Sequence, residues 1–255
     1  MRSARWPRQL IIVRHGQSAG NVARDAADEA LADRIALTER DADVPLSHLG
    51  REQARALGHW FAREQPDQRP EILLSSPYRR ACQSAQIFRD AGGCEADEKI
   101  CFDERLREKE FGILDGLTVS GIHNLEPQQA EFRRLLGKFY HRPPGGESWC
   151  DVILRLRSVM DTISLHYAER RVIIFTHQVV VLCLRYIIEG LNEAEILAID
   201  RAGDVANCAI TDYRLDPGKG HDGGLVLQRY NVTAPLERED KPVTKEPDAI
   251  AGARG

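Results

Sequence analysis

The chain has 255 residues, of which 42% are hydrophobic and 29% charged, with a formal net charge of −4. That length and composition are typical of a soluble globular protein with one large domain or two small ones. The net charge gives no reason to expect nucleic-acid binding, and no apolar run approaches the length of a transmembrane helix or of a signal-peptide core. We therefore expect a cytoplasmic protein without nucleic-acid or membrane partners, in which a local positive pocket attracts any anionic substrate.

The cysteines are scattered along the chain, with neither a C-x-x-C pair nor the spacing of metal ligands; they are Cys82, Cys94, Cys101, Cys150, Cys183 and Cys208. This distribution favours reduced, buried thiols in a cytosolic protein over disulfides.

The first predicted element is a buried strand that ends in a charged junction. Residues 10–13 are apolar and mostly β-branched, as in a strand of a parallel sheet. Arg14, His15 and Gly16 follow directly. Ligands of open α/β sheets bind where strands end at their carboxyl edge, so His15 lies at the expected place for chemistry. Gly16 allows the chain to turn sharply and to approach a ligand closely.

Two helical segments and a second strand come next. Residues 21–37 have a helical pattern without a strong apolar stripe, and we expect them to cross over the strand ends. A clearer helix starts at Ser47, whose hydroxyl can cap it, and ends before Pro66. Residues 71–75 predict the second strand.

The second strand leads to another junction. Ser76 and Pro77 are a capping residue and a proline at the first helical position, which predict a helix start. Arg80 then lies in the first turn, where free N–H groups and the helix dipole favour an anion. Arg79 cannot share the face of its neighbour and is expected on the surface.

A third strand near residues 99–102 leads into a loop, 106–117, that carries Glu108 and Glu110. Residues 118–142 look helical and amphipathic. Their basic side chains usually form a solvated face, although they could help to hold an anion; they are Arg133, Arg134, Lys138 and Arg142.

The next part of the chain repeats the opening design. After a break at residues 143–146, Ser148 and Asp151 have the spacing of a capping box and open a helix with an apolar stripe. Arg171–Thr176 is again an apolar strand, and it delivers His177 at its end.

The C-terminal part supplies a helix and two more strands. Residues 179–188 predict a buried apolar helix, and residues 208–213 and 225–230 alternate enough to predict two strands. After Val232 the chain has prolines, many charges and no periodicity. The sequence therefore predicts one domain over residues 1–232 and a flexible tail over residues 233–255.

Three strand ends thus bring Arg14, His15, Arg80 and His177 to one edge of a sheet. Arginine forks match phosphate oxygens and keep their charge. A neutral imidazole can attack phosphorus and form a covalent phosphoenzyme, provided that a hydrogen bond fixes its tautomer. A second imidazole can stabilise the equatorial oxygens, and a carboxylic acid must protonate the leaving alkoxide. Because cationic side chains can neutralise the phosphate, no metal is required.

The chain resembles the histidine phosphatase superfamily, which includes cofactor-dependent phosphoglycerate mutases and fructose-2,6-bisphosphatase. The matching motifs stand in the family's order: Arg14-His15-Gly16 with Ser18 and Asn21, residues 75–83, Leu106-Arg107-Glu108 with Phe111-Gly112 and Gly116, Gly146-Glu147-Ser148, and Thr176-His177. The resemblance covers residue 10 to about residue 186. It implies a single α/β domain with a mostly parallel central sheet and helices on both faces.

The resemblance also implies roles for individual residues. His15 corresponds to the phosphorylated nucleophile and Glu108 to the proton donor, with Glu110 as the alternative donor. The residues that complete the phosphate pocket are Arg14, Asn21, Arg80, His177 and Gln178. Many family members have glycine where Gln178 stands, and the His-Gln pair resembles that of fructose-2,6-bisphosphatase. A side chain beside the phosphate changes the shape that a substrate must have.

We expect a metal-independent, cofactor-independent phosphatase that hydrolyses phosphomonoesters of small metabolites. A mutase needs the same core and a closed site that excludes water, but residues 118–146 carry no specific mutase signature. Two rival hypotheses are a non-catalytic phospho-ligand binding protein on the same fold and a metal site at His15, His177 and nearby acids. The expected partner is a small phosphorylated substrate, and a homodimer is left open.

Overall fold

In a computed structural model of the chain, residues 5–64, 68–95 and 98–245 are described. The strands are β1 (Gln9–Arg14), β2 (Ile72–Ser75), β3 (Ile100–Phe102), β4 (Arg171–Thr176), β5 (Ile210–Asp216) and β6 (Gly224–Val232). They form one six-stranded sheet in the order β3-β2-β4-β1-β5-β6. The first four strands are mutually parallel, whereas β5 pairs antiparallel with both β1 and β6. The sheet is therefore mostly parallel, as the sequence predicts.

The helices are α1 (Ala19–Glu29), α2 (His48–Glu64), α3 (Arg79–Phe88), α4 (Val119–Leu125), α5 (Pro127–Tyr140), α6 (Trp149–His166), α7 (Gln178–Glu189), α8 (Glu193–Ala202) and α9 (Ala234–Arg238). A short 3-10 turn, Asp41–Asp43, lies between α1 and α2. Within the described ranges, none of the helices has the length and apolarity needed to cross a bilayer. All six cysteines are free thiols, and Cys94, Cys183 and Cys208 are buried.

The unbroken apolar run of β1 is explained by helices on both faces of the sheet. Leu10 and Ile12 pack into a core with residues of α6 and α7, and Ile11 and Val13 pack into a second core with residues of α2 and α3. A strand covered on both faces needs no polar alternation. The sheet therefore places the carboxyl ends of β1, β2 and β4 side by side at one edge, where ligands of such sheets bind.

Helices α1 and α3 differ from their predicted boundaries, and the segment predicted as helical over residues 118–142 is divided into α4 and α5. Helix α1 ends at Glu29 rather than near residue 37, because Leu31 takes a positive φ of 51° that stops the helix. Helix α3 begins at Arg79 rather than at Pro77, since the backbone of Tyr78 is extended. Arg80 nevertheless remains in the first turn.

Residues 233–245, the first part of the predicted tail, pack against the rest of the chain. Leu236 of α9 is fully buried in the core beside α2. The Pro242 carbonyl accepts a hydrogen bond from Gln53 Nε2 at 2.9 Å, and the Thr244 carbonyl accepts one from the Asn207 backbone at 2.9 Å. Leu236, the partly buried Val243 and isolated hydrogen bonds hold this segment, and such scattered contacts produce no periodicity in the sequence. The rest of the predicted tail, residues 246–255, lies outside the described residues.

Candidate active site

His15 follows β1, and its imidazole is completely buried. Its Nδ1 lies 2.6 Å from the carbonyl oxygen of Gly16. Because a carbonyl can only accept, Nδ1 carries the proton and Nε2 presents its lone pair. Nε2 in turn accepts a hydrogen bond from Nε of Arg80 at 3.2 Å. Both contacts select the same tautomer, in which the lone pair lies on Nε2, as the predicted role of His15 as a nucleophile requires.

The backbone around His15 is fixed by contacts with distant segments. The His15 carbonyl accepts a hydrogen bond from Asn207 Nδ2 at 3.0 Å, and the Gly16 N–H donates to Ser84 Oγ at 3.0 Å. A Cβ atom at Gly16 would lie 2.4 Å from the carbonyl oxygen of Gly50 in α2. Glycine is therefore needed at position 16 for close packing against α2. The expected role in approaching a ligand remains a prediction.

His177 and Arg80 lie beside His15. The ring centroids of His177 and His15 are 5.1 Å apart, and His177 Nε2 lies 2.8 Å from Ser76 Oγ. Tyr78 packs edge-on against His177 and places its ring 5.2 Å from the Arg80 guanidinium carbon. Arg80 is 1% exposed. Two imidazoles and one guanidinium from three separate junctions thus share one buried region.

The other predicted phosphate ligands are buried as well, each with a defined orientation. The Arg14 guanidinium donates to the Val205 carbonyl. Asn21 accepts from the Ser18 backbone at 2.8 Å in the capping box of α1. Gln178 donates from Nε2 to Asp204 at 2.7 Å. These three side chains are held by neighbouring loops, and their contact with a phosphate remains a prediction.

Glu108 is buried beside the start of α7, the helix that follows His177. Its Oε1 accepts from the Lys109 N–H at 2.8 Å, and its Oε2 accepts from the Val179 N–H at 3.4 Å. The alternative donor, Glu110, has a side chain that is 44% exposed and accepts from the Tyr78 hydroxyl at 2.6 Å. Burial beside the start of the helix that follows His177 favours Glu108 as the proton donor over the more exposed Glu110.

An ion pair that sequence reasoning missed holds the Glu108 loop. Arg155 of α6 donates to the Glu108 carbonyl at 3.1 Å and pairs with Glu147 at 2.9 Å. Glu147 also accepts from the Glu110 N–H at 3.1 Å. The motif containing Glu147 is visible in the sequence, but Arg155 looks like one of several helix-surface arginines. The pair positions the loop and therefore the Glu108 carboxyl group.

The basic side chains of residues 118–142 have different surroundings. Most of them form ion pairs: Arg134 with Glu131, Lys138 with Asp200, and Arg142 with Asp151. Within the described residues, Arg133 has a buried Nη2 without a hydrogen-bond partner. Arg133 thus differs from these three and remains a candidate for holding an anion.

Lys109, next to Glu108, is also a buried cation. Its Nζ lies 4.2 Å from the centroid of the Phe111 ring. Burial, with a smaller contribution from the positive charge of Arg133, lowers the pKa of Lys109 to about 8. Across the described ranges, no group of three or more His, Cys, Asp or Glu side chains is arranged to hold a metal ion.

Comparisons of the sequence and of the structure with known proteins agree on one family. A model of the histidine phosphatase superfamily (branch 1) matches residues 10–231. A probable phosphoglycerate mutase GpmB of Yersinia enterocolitica is 27% identical over 233 residues, covering 90% of this chain and 95% of the relative. A 6-phosphofructo-2-kinase/fructose-2,6-bisphosphatase of Caenorhabditis elegans is 31% identical over 70% of this chain and 33% of its own length. The solved structure of a mycobacterial glucosyl-3-phosphoglycerate phosphatase in complex with VO3 is 26% identical, with a TM-score of 0.67 over 88% of this chain and 99% of that one.

Proposed function

Since the chain belongs to the histidine phosphatase superfamily, we propose that it is a phosphatase that hydrolyses phosphomonoesters of small metabolites through a phosphohistidine on His15. The observation that carries this proposal is the contact between His15 Nε2 and Arg80 Nε at 3.2 Å. It combines a neutral imidazole, in the tautomer that can attack, with a permanent cation that attracts a phosphate to the same place.

In the first half-reaction, Nε2 of His15 attacks phosphorus. The new P–N bond forms as the P–O bond to the alcohol breaks, and protonated Glu108 gives its proton to the leaving oxygen. Arg14, Arg80 and His177 neutralise the charge on the equatorial oxygens, in a buried region where such interactions are strong. The products of this step are the free alcohol and a phosphorylated His15.

In the second half-reaction, water attacks the phosphohistidine. Glu108, now a carboxylate, accepts a proton from that water, and the electron pair of the P–N bond returns to Nε2. Inorganic phosphate leaves, and His15 and Glu108 regain their starting protonation states. Water is the only co-reactant, so no cofactor is required.

The substrate is proposed to be a small phosphorylated alcohol. The names of the relatives support this class, since they include mutases and phosphatases of phosphorylated glycerate and sugar compounds. Residues 22–45 and 118–146 are the proposed determinants of specificity. Phosphoglycerate mutase-type transfer is the alternative function, and the name of the Yersinia relative favours it.

A panel of phosphorylated metabolites, assayed for released phosphate in water enriched in heavy oxygen, tests the proposal. We expect inorganic phosphate that carries an oxygen from water. His15→Ala abolishes the release, and the control His166→Ala, at an exposed histidine of α6, does not change it. A phosphoryl group that moves within or between substrates without release indicates a mutase. Full activity of His15→Ala contradicts both functions.

A further inference from the structure

The carboxylate of Asp41 lies on the guanidinium of Arg80. Asp41 Oδ1 is 3.0 Å from Arg80 Nη1, and Asp41 Oδ2 is 3.1 Å from Arg80 Nη2. The Asp41 carbonyl oxygen also accepts from Nη1 at 2.5 Å. This is the two-pronged geometry in which arginine binds carboxylates and phosphates alike. A carboxylate of the chain itself thus occupies Arg80, the arginine that is proposed to bind the phosphate.

The contact is part of the folded core of the site. Arg80 is 1% exposed, whereas the side chain of Asp41 is 27% exposed. The segment that carries Asp41 is held on α3, because the Leu46 N–H donates to Gln83 Oε1 at 2.9 Å. In contrast, Asp43 of the same 3-10 turn pairs with Arg40 at the surface. Two neighbouring aspartates therefore differ in whether they reach the site.

The same arginine also covers the nucleophile. Nε of Arg80 donates to His15 Nε2, while Nη1 and Nη2 face Asp41. A phosphoryl group that reaches Nε2 must take over hydrogen bonds from Arg80. It therefore competes with the Asp41 carboxylate for the same donors.

A cavity of about 270 Å³ beside Asp41 offers the carboxylate another place. Asp41, Asp115 and Arg34 line this cavity. Arg34 forms no ion pair with the described residues. Burial raises the pKa of Asp115, and the negative charge of Asp41 contributes to the same shift. A displaced Asp41 carboxylate would thus be attracted by Arg34 and repelled by Asp115 and by Glu39, which also lines the cavity.

We propose that Asp41 is a displaceable internal anion that sets the affinity of the site for phosphate: an incoming phosphoryl group takes Arg80 from Asp41, and Asp41 moves toward Arg34. The proposal rests on the phosphatase function proposed above. It adds Asp41 as a residue that determines affinity through its contact with Arg80, which is proposed to bind the phosphate. Only the fraction of molecules in which Asp41 has left Arg80 can bind phosphate. The apparent Kd of any phosphate is therefore the intrinsic Kd divided by that fraction. That weakening applies to the product, inorganic phosphate, as well as to the substrate.

The test is the Kd of inorganic phosphate, titrated calorimetrically into the full chain at fixed ionic strength. Asp41→Asn keeps the size of the side chain and removes its charge. We expect phosphate to bind about tenfold more tightly to this variant. The matched control is Asp43→Asn, which makes the same charge change two residues away and is expected to leave the Kd unchanged. An unchanged or weaker affinity of Asp41→Asn contradicts the proposal.

Arg34→Gln gives a second, independent variant that leaves the Asp41–Arg80 contact in place. It is expected to weaken phosphate binding in the wild-type background and to have no effect in the Asp41→Asn background. An equal loss in both backgrounds reflects general electrostatics and contradicts the proposal. If the wild type binds phosphate and all variants bind it with the same Kd, the role of Asp41 is contradicted and the proposed function is not. Absence of phosphate binding in every variant contradicts the proposed function and the role of Asp41 together.

Discussion

Glu108 and Glu110 are two residues apart but lie in different environments. Glu108 is buried and accepts hydrogen bonds from two backbone N–H groups, one of them in the first turn of α7. Glu110 is partly exposed and is paired with Arg107 and Tyr78. A general acid must reach the leaving oxygen inside the pocket. The difference in burial gives Glu108 that role in the proposed mechanism.

Glu108→Gln is expected to slow the hydrolysis of alkyl phosphates by about 100-fold or more, the usual size of a general-acid contribution. An aryl phosphate with an acidic leaving group needs little protonation, so its hydrolysis should change far less. The measurement is kcat/KM for both classes of substrate. Equal slowing of alkyl and aryl phosphates contradicts the assignment of Glu108 as the proton donor. So does a control variant, Glu110→Gln, that also slows alkyl phosphates more than aryl phosphates.

Lys109 makes the folded state less stable because its charge is buried. Its pKa falls to about 8, below the ordinary value of the unfolded chain, so the unfolded state binds the proton more tightly. The free-energy cost is fully present below pH 8 and disappears as the pH rises above the unfolded pKa. Such a cost beside a proposed proton donor is typical of functional sites.

Lys109→Met is expected to raise the free energy of unfolding at pH 7 by roughly 1 to 3 kcal/mol, because it removes the buried charge and keeps the side-chain length. The gain should shrink as the pH is raised from 8 to above 10. Thermal or urea unfolding of both proteins at several pH values measures the difference. A destabilised variant at pH 7, or a gain that does not depend on pH, contradicts this role of Lys109.

At the scale of elements, two glycines allow α2 to pack closely against the loop that follows β1. A Cβ at Gly16 would lie 2.4 Å from the Gly50 carbonyl oxygen, and a Cβ at Gly50 would lie 1.9 Å from the Gln17 carbonyl oxygen. Ser47 caps α2 as predicted, since its hydroxyl accepts from the Gly50 N–H at 3.0 Å. The start of α2 is therefore packed directly against the backbone next to His15.

Gly50→Ala is expected to lower the free energy of unfolding by about 1 to 3 kcal/mol, the usual cost of overpacking, and also to reduce turnover by shifting the His15 backbone. The control Arg51→Ala, at the next and exposed position of α2, should change stability by less than about 0.5 kcal/mol. Melting temperature and kcat are the measurements. A Gly50→Ala variant as stable and active as the control shows that the helix can shift without affecting the site.

At the scale of the molecule, the C-terminal segment is linked by hydrogen bonds to His15, the proposed nucleophile. The Thr244 hydroxyl bonds to Asn207 Oδ1 at 2.9 Å, and Asn207 Nδ2 donates to the His15 carbonyl at 3.0 Å. Gln53 donates to the Pro242 carbonyl and accepts from the Gln17 N–H. Residues 233–245 thus support the loop after β1 from outside the sheet.

Leu236→Ala is expected to destabilise the fold by about 2 to 5 kcal/mol, as truncation of a fully buried leucine does. Urea unfolding of the full chain, monitored by circular dichroism, measures the loss. A stability equal to that of the wild type indicates a detached segment, as the sequence alone predicts.

The sequence predicts best those features that depend only on residues close together in the chain. The strands that deliver His15 and His177, the caps of α2 and α6, and the difference between Arg79 and Arg80 all follow from local patterns, and the structure has Arg79 exposed and Arg80 buried. The mostly parallel sheet follows from the apolar runs and from the family resemblance.

The sequence does not predict contacts between distant, locally unremarkable residues. Asp41 is one acid in an acidic stretch, and only the fold places it on Arg80. Arg155 and the tail residue Thr244 likewise reach the site across long chain separations. Their partners are chosen by packing, which leaves no periodic trace in the sequence.

The proposed mechanism requires Nε2 of His15 to carry the phosphoryl group during turnover. Rapid quenching of the enzyme with a phosphomonoester labelled in its phosphoryl group tests this requirement, followed by mapping of the labelled peptide and NMR assignment of the ring nitrogen. We expect an acid-labile, alkali-stable phosphate on Nε2 of His15 that is absent from His15→Ala. Release of phosphate without any trapped label, or label on another residue, would contradict the mechanism.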